Sequence, residues 1–235
     1  MDSYLTEKHV FADKTKEEHV MSIMRQDGLA CCTCPIVYLL MTYKNVPMEE
    51  AVGVTALLWL LLMIALLLND VPQHVGNSLK GICTNIAFFG FVTYSTILVE
   101  TDEYAGSALK LFAGFGLTHS LALLLSPNFH ALMWGNVQGD DDMLHFTRRC
   151  IGCDLFSVSA YLCALIAGVP NPKAAGISWM ALFFAFLSLM GGFQKFKYDM
   201  KMIFGWVVCI AFFAVTLLAD NPVVVETAEE GVKDV

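Results

Sequence analysis

The sequence predicts an all-α fold: a polytopic transmembrane helical bundle of about six spans, preceded by an N-terminal amphipathic or interfacial segment. Three observations carry this expectation. The 235 residues are 57% hydrophobic and 15% charged, against roughly 45–50% and about 25% for an ordinary soluble domain. Six stretches (51–68, 81–99, 107–125, 151–169, 174–190 and 202–219) meet or approach the roughly 20 apolar residues needed to cross a bilayer core about 30 Å thick. Of 14 Lys and Arg and 22 Asp and Glu, only Lys110 and Asp154 fall inside those stretches. A helix bathed in water shows a charged face at every turn. A helix in lipid satisfies its own backbone and carries no such face.

Residues 1–50 form the N-terminal polar and amphipathic segment. Asp13 or Thr15 is expected to cap a helix that runs to about Gln26, with Glu18 completing a capping box and Gly28 stopping it. The apolar stretch 29–43 is only 15 residues long and contains Pro35, so it reads as an interfacial or re-entrant segment rather than a seventh span. Residues 51–219 hold the six spans, and 220–235 form an acidic tail. Short connections, such as Pro170-Asn171-Pro172, make successive spans antiparallel neighbours. The longest loop is expected at 126–150.

Without a hydrophobic driving force between helices, small residues that permit close approach carry the packing in lipid. Ala174, Ser178, Ala181, Ala185, Ser188 and Gly192 form such a seam on the fifth span. Ala160, Ala164 and Gly168 do so on the fourth, Ala113, Gly116 and Ser120 on the third, and Cys83, Ala87 and Gly90 on the second.

Ionisable groups inside a span are costly and mark candidate sites. Lys110 sits near a span end, where its stem can snorkel to the headgroups. Asn85, His119 and Asp154 lie at matching depths on the second, third and fourth spans, by a rise of about 1.5 Å per residue. They are expected to meet as a polar binding pocket in which a His–carboxylate pair relays a proton or holds a cation. The alternative is a structural hydrogen-bonded pair.

Eight cysteines include two C-x-x-C pairs, Cys31/Cys34 and Cys150/Cys153. Paired C-x-x-C motifs can hold zinc, but in a six-span topology the two pairs lie on opposite membrane sides. Cys31, Cys32 and Cys34 also fit juxtamembrane lipidation. The pair at the start of the fourth span resembles that of the membrane thiol oxidoreductases that reduce vitamin K quinones. That family needs a partner cysteine pair between its early helices, and here Cys83 alone lies between Cys34 and Cys150. Asp140-Asp141-Asp142, with His130 and His145 nearby, fits either a divalent cation or a solvated loop.

No P-loop, G-x-S-x-G, H-E-x-x-H or dinucleotide fingerprint occurs, so no catalytic residue, metal ligand or cofactor is assigned. The net charge of −8 counts against nucleic acid as a partner. The expected partners are the lipid bilayer and other membrane subunits, at an integral, multi-pass location in a membrane the sequence does not name. The leading functional reading is an accessory or structural component of a membrane assembly. The alternative is a small-solute or ion transporter or channel, and a membrane thiol oxidoreductase stands third.

Overall fold

The computed structural model describes residues 14–71, 77–99, 102–136 and 141–219. Within them the chain is helical throughout, with no strand: α1 (Lys14–Tyr43), α2 (Met48–Asn69), α3 (Leu79–Thr93), α4 (Asp102–Leu125), α5 (Pro127–Trp134), α6 (Asp142–Ile166), α7 (Asn171–Leu187), α8 (Met190–Lys195) and α9 (Met200–Ala219). A π-helical turn, Tyr94–Leu98, prolongs α3. Five helices are long and apolar enough to cross a membrane: α2, α3 with its π turn, α4, α6 and α9. Each covers one of the expected spans. The remaining one, 174–190, corresponds to α7, which stops after 17 residues and resumes as α8.

The N-terminal region departs from expectation. Gly28 does not stop a helix, and α1 runs for 30 residues through both Gly28 and Pro35. Its first turn begins at Lys14, ahead of Thr15, and Asp13 lies outside the described residues, as do 1–12 and the tail 220–235. The reason is tertiary. Helix propensity is a weak force of about 1 kcal/mol for a glycine, and α1 packs along α6 and α2. Pro35 leaves the Cys31 carbonyl without its ladder partner. One turn away, Trp59 Nε1 donates to Thr33 Oγ1 (3.2 Å) and Thr33 Oγ1 donates to Leu29 O (3.0 Å), pinning that part of α1 to α2.

α6 is the central helix, packed against α4, α7 and α1. It begins at Asp142, well before the expected 151, because Asp141 Oδ1 accepts from Met143 N (2.9 Å) and Leu144 N (3.2 Å) as an N-cap. It ends at Ile166 rather than 169, since Gly168 takes a left-handed conformation (φ 79°) and Val169 N returns to Ala164 O (3.0 Å). The expected loop 126–150 thus holds α5 and the first turns of α6. Arg148, expected in that loop, is a helical residue with only 2% exposure.

The small-residue seams hold only in part: Gly168 on the fourth expected span and Ser188 on the fifth are exposed, and the seam on α3 fails. Ala113 and Ser120 on α4, Ala164 on α6, and Ala174, Ser178 and Ala185 on α7 are buried. On α3, Cys83 and Ala87 face outward. That helix instead buries Ile82, Phe89 and Val92, and Phe89 stacks on Trp59 of α2 with ring centroids 5.5 Å apart. Aromatic packing, not backbone approach, joins α3 to its neighbours.

At Gly152 on α6 a side chain would meet Leu123 Cβ at 3.0 Å and the Leu124 backbone nitrogen at 3.3 Å across the α4–α6 contact. Gly114 on α4 has nothing within 4 Å. Gly152→Leu is therefore expected to lower stability by about 1–3 kcal/mol through overpacking, while Gly114→Leu leaves it unchanged or raised. Thermal unfolding of the purified protein in detergent distinguishes the two.

Candidate functional site

One cavity, of about 120 Å³, lies inside the bundle between α1, α2, α3, α4, α5 and α6. Its walls are two-sided in character. Trp59, Met63, Phe89, Phe112, Leu155 and Val158 make an apolar floor, and Asn85, His119, His130, Trp134, Asn136 and Arg148 make a polar end. His119 Nδ1 lies 3.1 Å from Phe115 O. A carbonyl only accepts, so Nδ1 carries the proton and Nε2 presents a lone pair. His119 Nε2, His130 Nε2 and Trp134 Nε1 are buried and have no hydrogen-bond partner. The three rings sit together, His119 5.1 Å from His130 and 4.8 Å from Trp134 between centroids. Buried polar atoms are nearly always satisfied, so three orphans beside one cavity are a ligand- or water-shaped demand. A cavity of this size compares with the roughly 150 Å³ that accommodates benzene.

α5 closes the polar end. Ser126 precedes Pro127 at its first turn, and Gly135 ends it in a left-handed conformation (φ 70°). The next residue, Asn136, accepts from the Ser78 backbone nitrogen (3.0 Å) through Oδ1, while Ser78 Oγ donates to Trp134 O and accepts from Gly81 N (2.9 Å). The start of α3 and the end of α5 are thus fastened at one serine. His145 and Asn128 add a second tie between α5 and α6 (3.0 Å).

The same end of the bundle carries a polar knot. Asp70, just past α2, accepts from Ser22 Oγ (2.6 Å), Asn77 Nδ2 (3.3 Å) and Arg25 Nη1 (3.3 Å). Arg148 Nη2 lies 3.2 Å from His19 Nε2, and since a guanidinium only donates, His19 accepts there.

Of the residues expected to form a pocket, Asn85 and His119 line this cavity. Asp154 lies elsewhere, against α1, where Cys31 Sγ donates to Asp154 Oδ2 (3.2 Å). Donor atoms of Asp27, Cys31 and Asp154 all lie within 4.8 Å of one another. Cys31 and Cys32 are exposed and Cys34 is half-buried, its sulfur 3.5 Å from Ser178 Oγ. α1 beside α6 brings the two C-x-x-C motifs to one side of the bundle, which the expected topology kept apart. Asp141 is the α6 cap and Asp142 pairs with Lys195 at 2.5 Å, while Asp140 lies outside the described residues. The sequence reading missed His130 and Trp134 as cavity residues. Their signal was present as a Pro127-led, Gly135-ended helix signature inside a stretch read as loop.

Compared with known proteins, the chain matches no family model, no curated protein and no solved structure. What stands is a helical bundle with five helices of membrane-crossing length and a largely apolar cavity that is polar at one end.

Burial, then the neighbouring His119 and Arg148, push the His130 imidazole down to about 3. In the unfolded chain it titrates near 6.5. Between those values the unfolded state binds a proton the native state does not, so stability is full above about pH 6.5 and falls as pH drops toward 3. His130→Phe is expected to flatten that slope, read as the unfolding temperature in detergent at about pH 7 against about pH 4.5.

Proposed function

We propose that the chain is an integral, multi-pass membrane protein that binds a small solute within its bundle and works as a small-solute carrier or channel. The observation that carries this reading is the partly open cavity with His119 Nε2, His130 Nε2 and Trp134 Nε1, unpartnered among the described residues, at one end. A lone pair and an N–H beside an apolar floor suit an uncharged solute with one hydroxyl- or amide-like group on a body about the size of one ring. Asn85 and His119 are its expected polar contacts.

In proteoliposomes, uptake of such solutes is expected to fall about tenfold in His119→Phe, the worth of roughly one buried hydrogen bond. Filling the floor with Val158→Phe is expected to block uptake. Unchanged flux in both variants would remove the reading.

The membrane topology that fits this function has seven crossings. α1 runs parallel to α6, with His19 beside Arg148 at one end and Thr42 beside Asn171 at the other (2.9 Å), and at about 1.5 Å per residue its 30 residues reach about 45 Å. α7 and α8 together supply the span that α7 alone leaves short. An odd number of crossings separates the two ends, so tags placed before Lys14 and after Ala219 are expected on opposite membrane faces. Protease protection of sealed vesicles reads this out.

A second reading, an accessory subunit of a membrane assembly, draws support from α9. Phe204, Trp206, Phe212 and Phe213 stand outward on this helix, which is the least buried of the five long ones. Lipid covers such a face as readily as a partner helix, so the cavity decides between the two readings.

A further inference from the structure

We infer that Asp27, Cys31 and Asp154 form a three-ligand binding site for a divalent transition-metal ion of the zinc class, with the fourth position left to water. Two donors, Asp27 and Cys31, come from α1 and one, Asp154, from α6, and an Asp and a Cys recur at the same spacing on both helices. On α1 they are four residues apart as Asp27 and Cys31, and on α6 four apart in the reverse order as Cys150 and Asp154. A spacing of four puts each pair on one helical face, and because α1 and α6 run parallel the two faces meet. Donor atoms of Asp27, Cys31 and Asp154 lie within 4.8 Å of one another, and Cys31 Sγ is 3.2 Å from Asp154 Oδ2. Tetrahedral zinc, with oxygen at about 2.0 Å and sulfur at about 2.3 Å, holds such donors roughly 3.3–3.5 Å apart. Cys150, one turn before Asp154 on α6, lies outside this group of donors.

A separate observation points the same way. Among the described residues Asp27 Oδ1 is buried and is offered no N–H or hydroxyl, facing only the Asp154 carboxyl. Two carboxylates brought together away from water repel, and a divalent cation cancels both charges at once. Thiol donors favour a zinc-like ion over magnesium or calcium, which take oxygen shells. Binding converts the thiol to thiolate and releases its proton to bulk water, so affinity rises with pH. This site lies on a different face of α6 from the cavity, shares no lining residue with it, and does not depend on the solute reading.

The test uses the full chain, purified in detergent, stripped with a chelator and titrated with Zn²⁺ or Co²⁺. One ion per chain is expected, and the Co²⁺ form shows sulfur-to-metal charge-transfer absorption. Cys31→Ser and Asp154→Asn weaken binding by at least about 100-fold, the upper end of what loss of a mere supporting residue costs. Cys32→Ser, one position off the face, leaves it intact. Cys31→His retains an ion but loses the charge-transfer band, a result that a misfolded chain cannot produce. Maleimide labelling of Cys31, but not of Cys32, slows when Zn²⁺ is present. Stoichiometric uptake that persists in Cys31→Ser with Asp154→Asn, or no uptake by the wild-type chain, overturns the inference and leaves a proton as what the two carboxylates share.

Discussion

The polar stripe on α6 is the constraint around which the bundle is arranged. Asp154, Ser157 and Tyr161 recur at steps of three and four along one side of the helix, Arg148 stands on its cavity-lining face, and none of them can be left without a partner in a non-aqueous interior. α1 and the start of α7 supply the partners. His19 meets Arg148, Cys31 meets Asp154, Ser178 meets Ser157, and Asn171 meets Tyr161 while reaching Tyr38 O and Thr42. This ladder of side-chain bonds explains why α1 stays helical through a glycine and a proline that would end an isolated helix. It also sets α6 at the centre, since a helix polar on one side and small on another must be enclosed on both.

With α6 enclosed, the remaining helices are free to pack on bulk. Trp59, Phe88, Phe89, Phe112 and Phe115 interlock across α2, α3 and α4. Large rings tile imperfectly, and the gap they leave is the cavity. Its polar end follows from chain connectivity, because the short α5 has to turn back over the α3 start and brings His130 and Trp134 with it. The cavity and the Asp27–Cys31–Asp154 cluster therefore lie on different faces of α6 and share no lining residue, although α1 borders both.

Much of the helical architecture was legible in the sequence because apolar length is a strong signal, and the helices found at 48–69, 79–98, 102–125, 142–166 and 200–219 each cover an expected stretch. Boundaries were legible only where a cap was recognised. Asp141 was read as part of an acidic loop, and Gly168 as part of a seam, although one starts α6 and the other ends it. The site was half legible. Depth matching brought Asn85 and His119 to one cavity, but depth says nothing about the direction in which a side chain points, and Asp154 faces α1. Treating 29–43 as peripheral hid both the α1 contact and the mirrored Asp–Cys spacing, since Pro35 outweighed a tertiary contact invisible in local sequence. The α3 seam failed for a related reason: small residues permit close approach but do not compel it.

The pairing of α1 with α6 has a consequence for how the molecule is made. His19 and Arg148 are separated by 129 residues, and Cys31 and Asp154 by 123. At a synthesis rate of roughly 5–20 residues per second, α1 waits on the order of 6–25 seconds before the helix that completes it exists. During that interval its cysteines, Asp27 and Pro35 turn lack their neighbours, while α2, α3 and α4 can already pair with one another. Among the described helices, α1 thus precedes α2, α3 and α4 in the chain yet gains its α6 contacts only after they are made.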